Sequence, residues 1–400
     1  MHLSPQQQQA VKAVRSWLAD PNRKPVFRLF GYAGTGKTTI AKELTKDVHA
    51  LYATFTGKAA LILQEKGCSP ASTIHSLIYL PKVQSGEALK RLRDELKATE
   101  AQDPVDMDKV ADLQKWIRLE RERVETPNWS LKHDSVLKGA DLLVLDECSM
   151  IDGQIASDLM QFGVPILALG DPAQLPPVKG YGYFIQDEPD FMLTEIHRQQ
   201  EGSPVLDLAT MARSRGYVEV GEYGDSEVRL SGNTQPAELA SYDQVLCGRN
   251  RTRKKANRAI RKHLGRTSPL PEPGDKLVCL RNDKEAGMLN GSQWICHSVQ
   301  DIDEDSMFLE LTEYGREDDQ PFGVYVWKHP FEDREDDLNF WEIKDAQLMD
   351  FGYAMTVHKA QGSGWPSVAV IDESDCFRSS SREWIYTAIT RASERILIIS

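Results

Sequence analysis

The stretch Gly31-Tyr32-Ala33-Gly34-Thr35-Gly36-Lys37-Thr38 matches the pattern G-x-x-x-x-G-K-[ST] of a phosphate-binding loop. An apolar run at 26–30 precedes it and a helix-like pattern follows it, which is the strand–loop–helix context that this loop requires. In such loops backbone N–H groups surround a phosphate, the lysine reaches the β- and γ-phosphate oxygens, and the threonine hydroxyl ligates Mg²⁺. We therefore expect a site for ATP and Mg²⁺ whose nucleotide contacts are Gly31, Ala33, Gly34, Thr35, Gly36, Lys37, Thr38 and Thr39.

A second feature that fits this site is an apolar run that ends in two acids. Leu142–Leu145 reads as a buried strand, and Asp146-Glu147 follows it directly. Beside a phosphate loop, Asp146 fits a ligand of Mg²⁺, and Glu147 fits the residue that orients or deprotonates the attacking water. Two acids at a strand end are, on their own, more often a solvated turn. The phosphate loop favours the catalytic interpretation.

The next apolar run, 165–169, leads into the proline-rich turn Gly170–Pro177. Gln174 lies on this turn, where a rigidly held glutamine beside the γ-phosphate could report the state of the nucleotide. The alternative is a turn that the prolines merely stiffen. The residues alone leave both interpretations open.

Short apolar runs alternate with helix-like stretches along the chain, which is typical of parallel sheets in an α/β fold. A first helix is predicted over residues 5–19, capped by Ser4 with Pro5 in its first turn. Two segments break the alternation, one by charged helical sequence and one by Pro-Gly-Asp turns with short alternating runs. The predicted division is a first core at 1–80 and 136–216, an inserted subdomain at 81–135, a second core at 217–268 and 346–400, and a small inserted β-domain at 269–345.

Charge is distributed unevenly. The net charge is −12, but residues 301–350 alone hold 17 acidic and four basic residues. Residues 249–266 carry nine basic residues and no acidic one. The acidic total is therefore compatible with a local phosphate-binding surface, and 249–266 is either such a surface or a solvated helix face. The acidic second insertion is a candidate surface for a protein partner.

Composition argues against several classes of protein. The 400 residues are 40% hydrophobic and 27% charged, which is ordinary for a globular protein. No run of eighteen apolar residues is present, which argues against a membrane span, and the first residues lack a secretory signal pattern. Six cysteines are scattered without a C-x-x-C pair, which favours reduced thiols. We expect a cytoplasmic protein that is neither secreted nor bound to a membrane.

Taken together, the motifs resemble those of superfamily 1 helicases, specifically the 5′→3′ branch that contains the RecD-like and phage Dda-like proteins. The resemblance covers nearly the whole chain apart from the two insertions. It is carried by segments that follow the family's order: Leu3–Val11, Gly31–Thr38, Thr54–Ala60, Ser72–Leu77, Asp146–Met150, Gly170–Val178, Leu193–Arg198, Tyr353–Ser363 and Tyr386–Ala392.

This resemblance implies two RecA-like cores with ATP between them, and a second insertion that is a small Src-homology-3-like β-domain. It implies that Gln7 reads adenine, that Gln174 senses the nucleotide, and that Arg391 is an arginine finger from the second core. Each core would carry a set of DNA-binding residues, here called its DNA grip: Thr56, Thr73 and His75 on the first core, and Thr356, His358 and Lys359 on the second. Closing and opening the cleft would move the two grips relative to each other. The implied catalytic residues are Lys37, Asp146, Glu147, Gln174, Arg198 and Arg391, with Thr38 and Asp146 on the metal.

The family's strand-contacting motifs imply the DNA-binding residues. Trp129 falls where the family carries an aromatic residue on a pin that separates the strands, beside the turn Pro127-Asn128. The alternative for Trp129 is that it packs the first insertion against the core. The other implied contacts are Thr56, Lys58, Thr73, His75, Asn250, Thr356, His358 and Lys359.

The function that the resemblance implies is an ATP-dependent DNA helicase, active as a monomer, that moves 5′ to 3′ on single-stranded DNA and opens forked duplex DNA. One alternative is a P-loop ATPase that acts as a switch or scaffold without DNA. Another is a passive single-strand-binding module whose affinity ATP controls. Stimulation of ATP hydrolysis by DNA separates the helicase from the switch, and strand displacement separates it from the passive module.

Overall fold

The computed structural model describes residues 3–81, 87–102, 104, 106–125, 129–177, 180–196, 202–232, 234–283, 286–334, 338 and 346–400. Its helices are α1 (Pro5–Ala19), α2 (Lys37–Leu44), α3 (Gly57–Glu65), α4 (Ile74–Ile78), α5 (Glu87–Glu100), α6 (Met107–Glu125), α7 (Gly153–Met160), α8 (Pro204–Arg215), α9 (Pro236–Ala240), α10 (Asn250–His263), α11 (Val357–Ala360) and α12 (Ser381–Ile389). Its strands are β1 (Val26–Gly31), β2 (Ala50–Thr54), β3 (Ala71–Thr73), β4 (Tyr79–Pro81), β5 (Trp129–Leu131), β6 (Leu142–Leu145), β7 (Ile166–Gly170), β8 (Phe191–Leu193), β9 (Gly221–Tyr223), β10 (Ser226–Arg229), β11 (Gln244–Cys247), β12 (Lys276–Cys279), β13 (Gln293–Asp301), β14 (Ser306–Glu313), β15 (Phe322–Trp327), β16 (Met349–Phe351), β17 (Ala354–Thr356), β18 (Trp365–Ile371) and β19 (Ala392–Ile399).

Helix α1 begins where the sequence predicts. The Ser4 hydroxyl accepts a hydrogen bond from the Gln7 N–H, and the Gln7 side chain accepts one from the Ser4 N–H. This reciprocal capping box satisfies two backbone donors of the first turn, and Pro5 needs no partner there. The prediction of a helix over 5–19 capped by Ser4 is confirmed. The cap also fixes the start of the helix, and with it the direction of the Gln7 side chain.

The first core is a six-stranded parallel sheet in the order β3-β2-β6-β7-β1-β8. Strands β6 and β7 are buried along their whole length, as continuous apolar runs in a central parallel strand are. Helices α1 and α2 cover one face of this sheet, and α4 and α7 cover the other. Because the strands are parallel, their carboxyl ends meet at one edge of the sheet.

The second core is a sheet in the order β17-β11-β18-β19-β10-β9. All of its neighbouring strands are parallel except the edge pair β9–β10. Helices α8 and α12 pack on one face, and α9 and α10 pack on the other. The predicted α/β class with two parallel-sheet cores is confirmed. Among the described residues, no helix combines the length and apolar character that crossing a bilayer requires.

Each core carries inserted structure. Helices α5 and α6 come between β4 and β5, which pair antiparallel with Pro81 opposite Trp129. In the second core, a five-stranded antiparallel sheet has the order β15-β14-β13-β12-β16. Its closing strand β16 lies beyond residue 346, where the sequence prediction returns to the second core. A strand of three residues is too short to show the alternation by which a strand is recognised.

Arg261 on α10 and Asp275 before β12 form a buried ion pair at the base of this five-stranded sheet. Their side chains are 5% and 0% exposed, and Arg261 Nη2 lies 2.9 Å from Asp275 Oδ2. Other guanidinium donors reach the carbonyls of Ser268 at 2.6 Å and Leu270 at 2.9 Å. The Tyr353 hydroxyl donates to Asp275 Oδ1 at 2.9 Å. The pair is thus surrounded by hydrogen-bond partners, and it ties α10 to the inserted sheet.

Removing the guanidinium would leave a buried carboxylate without its main partner, which typically costs about 3–5 kcal/mol. We therefore expect Arg261→Leu to lower the free energy of unfolding by about that amount, measured by chemical denaturation. Arg316→Ala is the control, because the Arg316–Glu65 pair is exposed at the surface and such pairs contribute about 0–1 kcal/mol. Equal losses in the two variants would contradict a structural role for the buried pair.

Candidate functional site between the two cores

The predicted phosphate loop joins β1 to α2 at the carboxyl edge of the first sheet. Gly34 and Gly36 have φ of +82° and +79°, a region that favours glycine. A Cβ at Gly36 would lie 2.6 Å from Gln7 Nε2, so glycine is also required by the close approach of that side chain. The Lys37 ammonium donates to the carbonyls of Gly31 at 2.6 Å and Tyr32 at 3.1 Å, which holds it at the mouth of the loop.

Gln7 lies against this loop as a buried side chain. It is 6% exposed, and its Nε2 donates to the Thr35 carbonyl at 3.2 Å. Gln7 and Thr39 both line the cleft at the start of α2. The capping box of α1 therefore places the predicted adenine-reading residue next to the loop that would hold the phosphates.

Asp146 and Glu147 stand opposite Lys37 at the end of β6. The Thr38 hydroxyl donates to Asp146 Oδ2 at 3.3 Å, so the two predicted metal ligands are adjacent. Desolvation and the neighbouring Glu147 carboxylate raise the pKa of Asp146 to about 6, and the nearby Lys37 opposes this rise. A hydroxyl and a carboxylate are hard oxygen ligands, which is the chemistry that Mg²⁺ prefers.

Glu147 has φ of +54°, although it is not glycine. A residue held in this region costs about 1–3 kcal/mol, and such residues concentrate at functional sites. Its N–H donates to the Asp146 carboxylate at 2.9 Å, which contributes to holding the turn. The strained turn presents both carboxylates to the cleft.

Gln174 follows β7, the neighbour of β1, and lines the same cleft as the phosphate loop. It is 4% exposed, and its Oε1 atom is buried with no hydrogen-bond partner in the described part of the chain. An unsatisfied buried acceptor costs free energy and marks a position where a donor from outside the protein would be stabilised. In this cleft such a donor could be the attacking water, so the atom favours a glutamine with a role in the site over a merely stiffened turn.

The second core reaches directly into this site through Tyr386 on α12. The Tyr386 hydroxyl accepts a hydrogen bond from the phosphate-loop N–H of Ala33 at 3.1 Å and donates to Asp171 Oδ2 at 2.7 Å. Burial raises the pKa of Asp171, and burial beside Asp171 raises the pKa of Tyr386. The predicted first core extends to residue 216, but α8, which carries Arg213, packs on the sheet of the second core. The Arg213 guanidinium lies 3.4 Å from the centre of the Tyr32 ring, a further contact of the second core with the loop.

Two more hydrogen bonds connect the cores at Leu175. Its N–H donates to the Thr387 hydroxyl at 2.8 Å, and its carbonyl accepts from Gln361 Nε2 at 3.0 Å. The cleft between the cores has a volume of about 1310 Å³ and is lined by both of them.

Sequence reasoning missed Tyr386, Asp171, Thr387 and Gln361 as site residues, although all four lie inside the quoted motifs. The sequence gives no sign that these residues form hydrogen bonds with the other core, because their partners lie far away along the chain.

Arg391 lines the same cleft from the second core but is turned toward its own domain. Its guanidinium donates to the carbonyls of Thr387 at 3.1 Å and Ser363 at 3.0 Å, and to the Thr390 hydroxyl at 3.2 Å. It is 6% exposed. The other predicted arginine, Arg198, lies outside the described residues.

Three of the predicted DNA-binding threonines occupy equivalent positions. Thr56, Thr73 and Thr356 follow or end the parallel strands β2, β3 and β17, and each caps the helix after it. Their hydroxyls accept from backbone N–H groups at 3.3, 3.2 and 3.4 Å. The Thr73 hydroxyl also donates to Ser76 Oγ at 3.0 Å. A hydroxyl that accepts a cap can still donate its proton, so Thr56 and Thr356 offer the same kind of donor, one on each core.

His75 and Trp129 belong to one aromatic cluster with Phe55 and Tyr79. The His75 ring centre lies 5.5 Å from that of Trp129 and 5.7 Å from that of Phe55. Burial lowers the pKa of His75, which favours the neutral ring. Trp129 is 37% exposed, so it packs on one side and faces solvent on the other. The turn Pro127-Asn128 lies outside the described residues.

The remaining predicted DNA contacts differ in their surroundings. Lys58 Nζ lies 5.2 Å from the centre of the Trp365 ring, so it faces the second core, and burial lowers its pKa. Burial also lowers the pKa of His358, and burial together with the Arg253 charge lowers the pKa of Lys359 to about 8. Asn250 is exposed as the first residue of α10.

Residues 2–228 match the AAA domain family, and residues 351–399 match the UvrD-like helicase C-terminal domain. The first match covers more than half of the chain. The chain belongs to the AAA domain family. The second match covers β17 and the segment that carries Tyr386 and Arg391.

Two curated relatives are similar over most of this chain. It is 26% identical over 288 residues to the ATP-dependent RecD2 DNA helicase of Deinococcus radiodurans, covering 64% of this chain and 36% of the relative. It is 26% identical over 310 residues to the conjugal transfer protein TraA of Rhizobium radiobacter, covering 67% and 25%. The chain therefore spans about a third or less of the length of these relatives.

Solved structures of Pif1 helicases share the fold. The Bacteroides Pif1 bound to single-stranded DNA has a TM-score of 0.56 at 16% identity, covering 100% of this chain and 92% of that one. The Candida albicans Pif1 has a TM-score of 0.53 at 17% identity, covering 100% and 95%. The predicted resemblance to superfamily 1 helicases of the RecD type is confirmed.

If Arg391 acts as the finger, it serves the transferring phosphoryl group and contributes little to ground-state binding of ATP. We expect Arg391→Ala to lower kcat for ATP hydrolysis by about 10³–10⁵ and to change nucleotide affinity much less. Arg395→Ala is the control, since Arg395 donates to the Ser241 carbonyl and lies over the Tyr242 ring, both in the second core. Lost affinity with kcat preserved at saturating ATP would make Arg391 a ground-state ligand.

Proposed function

We propose that this protein is an ATP-dependent DNA helicase that moves 5′ to 3′ along single-stranded DNA and opens duplex at a fork. The observation that carries the proposal is a nucleotide cleft whose two walls come from different cores, with threonine-capped helices after the parallel strands of each core. A change in the cleft is thereby also a change in the distance between two DNA grips.

At the nucleotide, Lys37 would reach the β- and γ-phosphate oxygens, and Glu147 would orient the attacking water. Thr38 and Asp146 would hold Mg²⁺, since their oxygens already lie together. Bound there, Mg²⁺ would neutralise phosphate charge. Gln7 would read the adenine, and Gln174 would donate to or accept from a polar group at the γ-phosphate position.

The second core completes this site. Arg391 would leave its carbonyl partners and turn to the phosphoryl group as the cleft tightens, and Arg198 would act beside it. The hydrogen bonds of Tyr386 and Thr387 already register the cores against each other. Because Arg391 belongs to the second core and the phosphate loop to the first, ATP hydrolysis would require the cleft between the cores to close.

The DNA would lie across both cores at the carboxyl edge of their sheets. Thr56, Thr73 and His75 would hold the strand on the first core, and Thr356, His358 and Lys359 would hold it on the second. These groups address phosphates and sugars, which gives little sequence preference. Lys58 and Asn250 stay as predicted contacts, with Lys58 facing Trp365 in this conformation.

The alternatives are less favoured. A switch or scaffold ATPase gives no reason for the match of residues 351–399 to a helicase C-terminal domain. A passive binding module gives no reason for an arginine of the second core on the wall of the nucleotide cleft. We propose a single chain as the active form, since the described cleft takes both walls from one chain. A cytoplasmic location, a protein partner on the acidic insertion and the Src-homology-3-like form of that insertion stay predictions.

Strand polarity tests this function directly. We expect a duplex with a 5′ single-stranded tail to be unwound with ATP, and a 3′-tailed or blunt duplex of the same sequence to stay closed. Fluorescence release of a labelled strand measures both. Efficient opening of the 3′-tailed duplex alone would refute the direction, and ATP hydrolysis that DNA does not stimulate would refute the motor.

Trp129 tests strand separation apart from movement. Stacking of one aromatic ring on a base is worth about 1–3 kcal/mol, comparable to the stacking lost when a base pair opens. We expect Trp129→Ala to slow unwinding several-fold and to leave single-strand-stimulated ATP hydrolysis and Tm nearly unchanged. Trp116→Ala is the matched control, because Trp116 is an exposed tryptophan on α6 of the same insertion. A Tm several degrees lower, with both activities reduced together, would make Trp129 a packing residue.

A further inference from the structure

Helix α10 lies on the outer face of the second core and has two chemically different sides. The basic residues that face the protein are matched by acids. Arg253 pairs with Asp350, and Arg261 pairs with Asp275. At the start of the helix, Arg249 pairs with Glu373 at 2.7 Å. These bases hold α10 to the inserted sheet and to the second core, and their charge is already neutralised.

The outward side of α10 carries Arg251, Lys255, Arg258 and Lys262, which we call the α10 stripe. Their spacing of four, three and four residues places them on one face of the helix, over about 16 Å. All four are exposed. Arg258 shares Asp333 with Lys254. Within the part of the chain that the structure describes, the other three stripe residues form no ion pair.

The fold itself gives no reason for this stripe. Like charges three or four residues apart destabilise a helix by a few tenths of a kcal/mol per pair, and the stripe contains three such neighbouring pairs. Helix α6 shows the usual alternative, since acids alternate with bases along its sequence MDKVADLQKWIRLERERVE. A protein with a net charge of −12 thus keeps an outward run of bases that costs helix stability.

The position of α10 links the stripe to the proposed DNA grip of the second core. Asn257, in the middle of the helix, holds β17 through bonds to the Ala354 N–H at 2.7 Å and to the Ala354 carbonyl at 3.2 Å. Strand β17 ends at Thr356, the capping threonine of that grip. Cys247, at the end of β11, pairs with Thr356, and α10 begins three residues later at Asn250. The stripe therefore begins near the grip and leads away from it along the outer surface.

We propose that the α10 stripe binds the phosphate backbone of DNA outside the cleft between the cores. This inference rests on the proposed function. Exposed Lys and Arg side chains at intervals of about 5–6 Å along a helix suit a sequence-independent phosphate contact. The phosphates belong either to the strand that leaves the grip or to the duplex and the displaced strand at the fork.

The test is the salt dependence of DNA affinity in the double variant Lys255→Ala/Lys262→Ala. Each lost phosphate contact lowers the slope of log K against log salt concentration by about 0.7 on a single strand and about 0.9 on duplex. We expect the magnitude of the slope to fall by about 1.4 to 1.8, and kcat for ATP hydrolysis at saturating DNA to be retained. The control is Lys12→Ala/Arg15→Ala, two exposed bases on α1 of the first core.

The DNA used separates the two sources of phosphate. A reduced slope on an oligonucleotide single strand assigns the stripe to the translocating strand, and a reduced slope on forked duplex alone assigns it to the other arms of the fork. An unchanged slope on both, with Tm also unchanged, overturns the proposal. A further outcome is that the wild-type protein fails to unwind any tailed duplex while the variant still shows a reduced slope of log K against log salt concentration. That result would refute the helicase assignment and still support phosphate binding by the α10 stripe.

Discussion

The Tyr386 hydroxyl is the contact on which the rest of this architecture depends. Its oxygen accepts a hydrogen bond from the Ala33 N–H in the phosphate loop and donates one to Asp171 after β7. One atom of the second core therefore contacts the segments that follow two strands of the first core, β1 and β7. Because the bond is made to the loop backbone itself, the loop that would hold the phosphates senses the position of the other core. Burial beside Asp171 raises the pKa of Tyr386, so the hydroxyl keeps the proton that it donates to the Asp171 carboxylate.

Both halves of the proposed function follow from where parallel strands end. In each core the carboxyl ends of the strands lie on one edge, and the loops after them carry the polar groups. The first sheet places Gly31, Thr54 and Leu145 at this edge, which puts the phosphate loop, the Thr56 cap proposed to bind DNA and the acidic turn on one rigid element. A small relative movement of the two sheets therefore changes the nucleotide site and the spacing of the DNA grips together.

Local features could be predicted from the sequence because neighbouring residues determine them. The loop at 31–38, the Ser4 cap of α1 and the acidic end of β6 each depend on short spacing and on periodic burial. The contacts that join the cores could not, since Ala33 and Tyr386 are 353 residues apart and neither residue type indicates the other. Lys58 illustrates the same limit. Its motif predicts a DNA contact, and the fold brings it over Trp365 of the second core. For the basic segment 249–266, only the positive charge could be predicted from the sequence. The fold shows that its inner bases are paired with acids and that its outer bases are exposed.

The central claim is that both cores close on one nucleotide. A distance measurement by pulsed electron resonance tests it most directly, with spin labels at Ser16→Cys on α1 and Glu394→Cys on β19, in a Cys376→Ser background that removes the exposed thiol. The account predicts a shorter and narrower distance distribution when an ATP transition-state analogue and single-stranded DNA are both bound, and a longer or broader one with DNA alone. The same distribution in both states would contradict it.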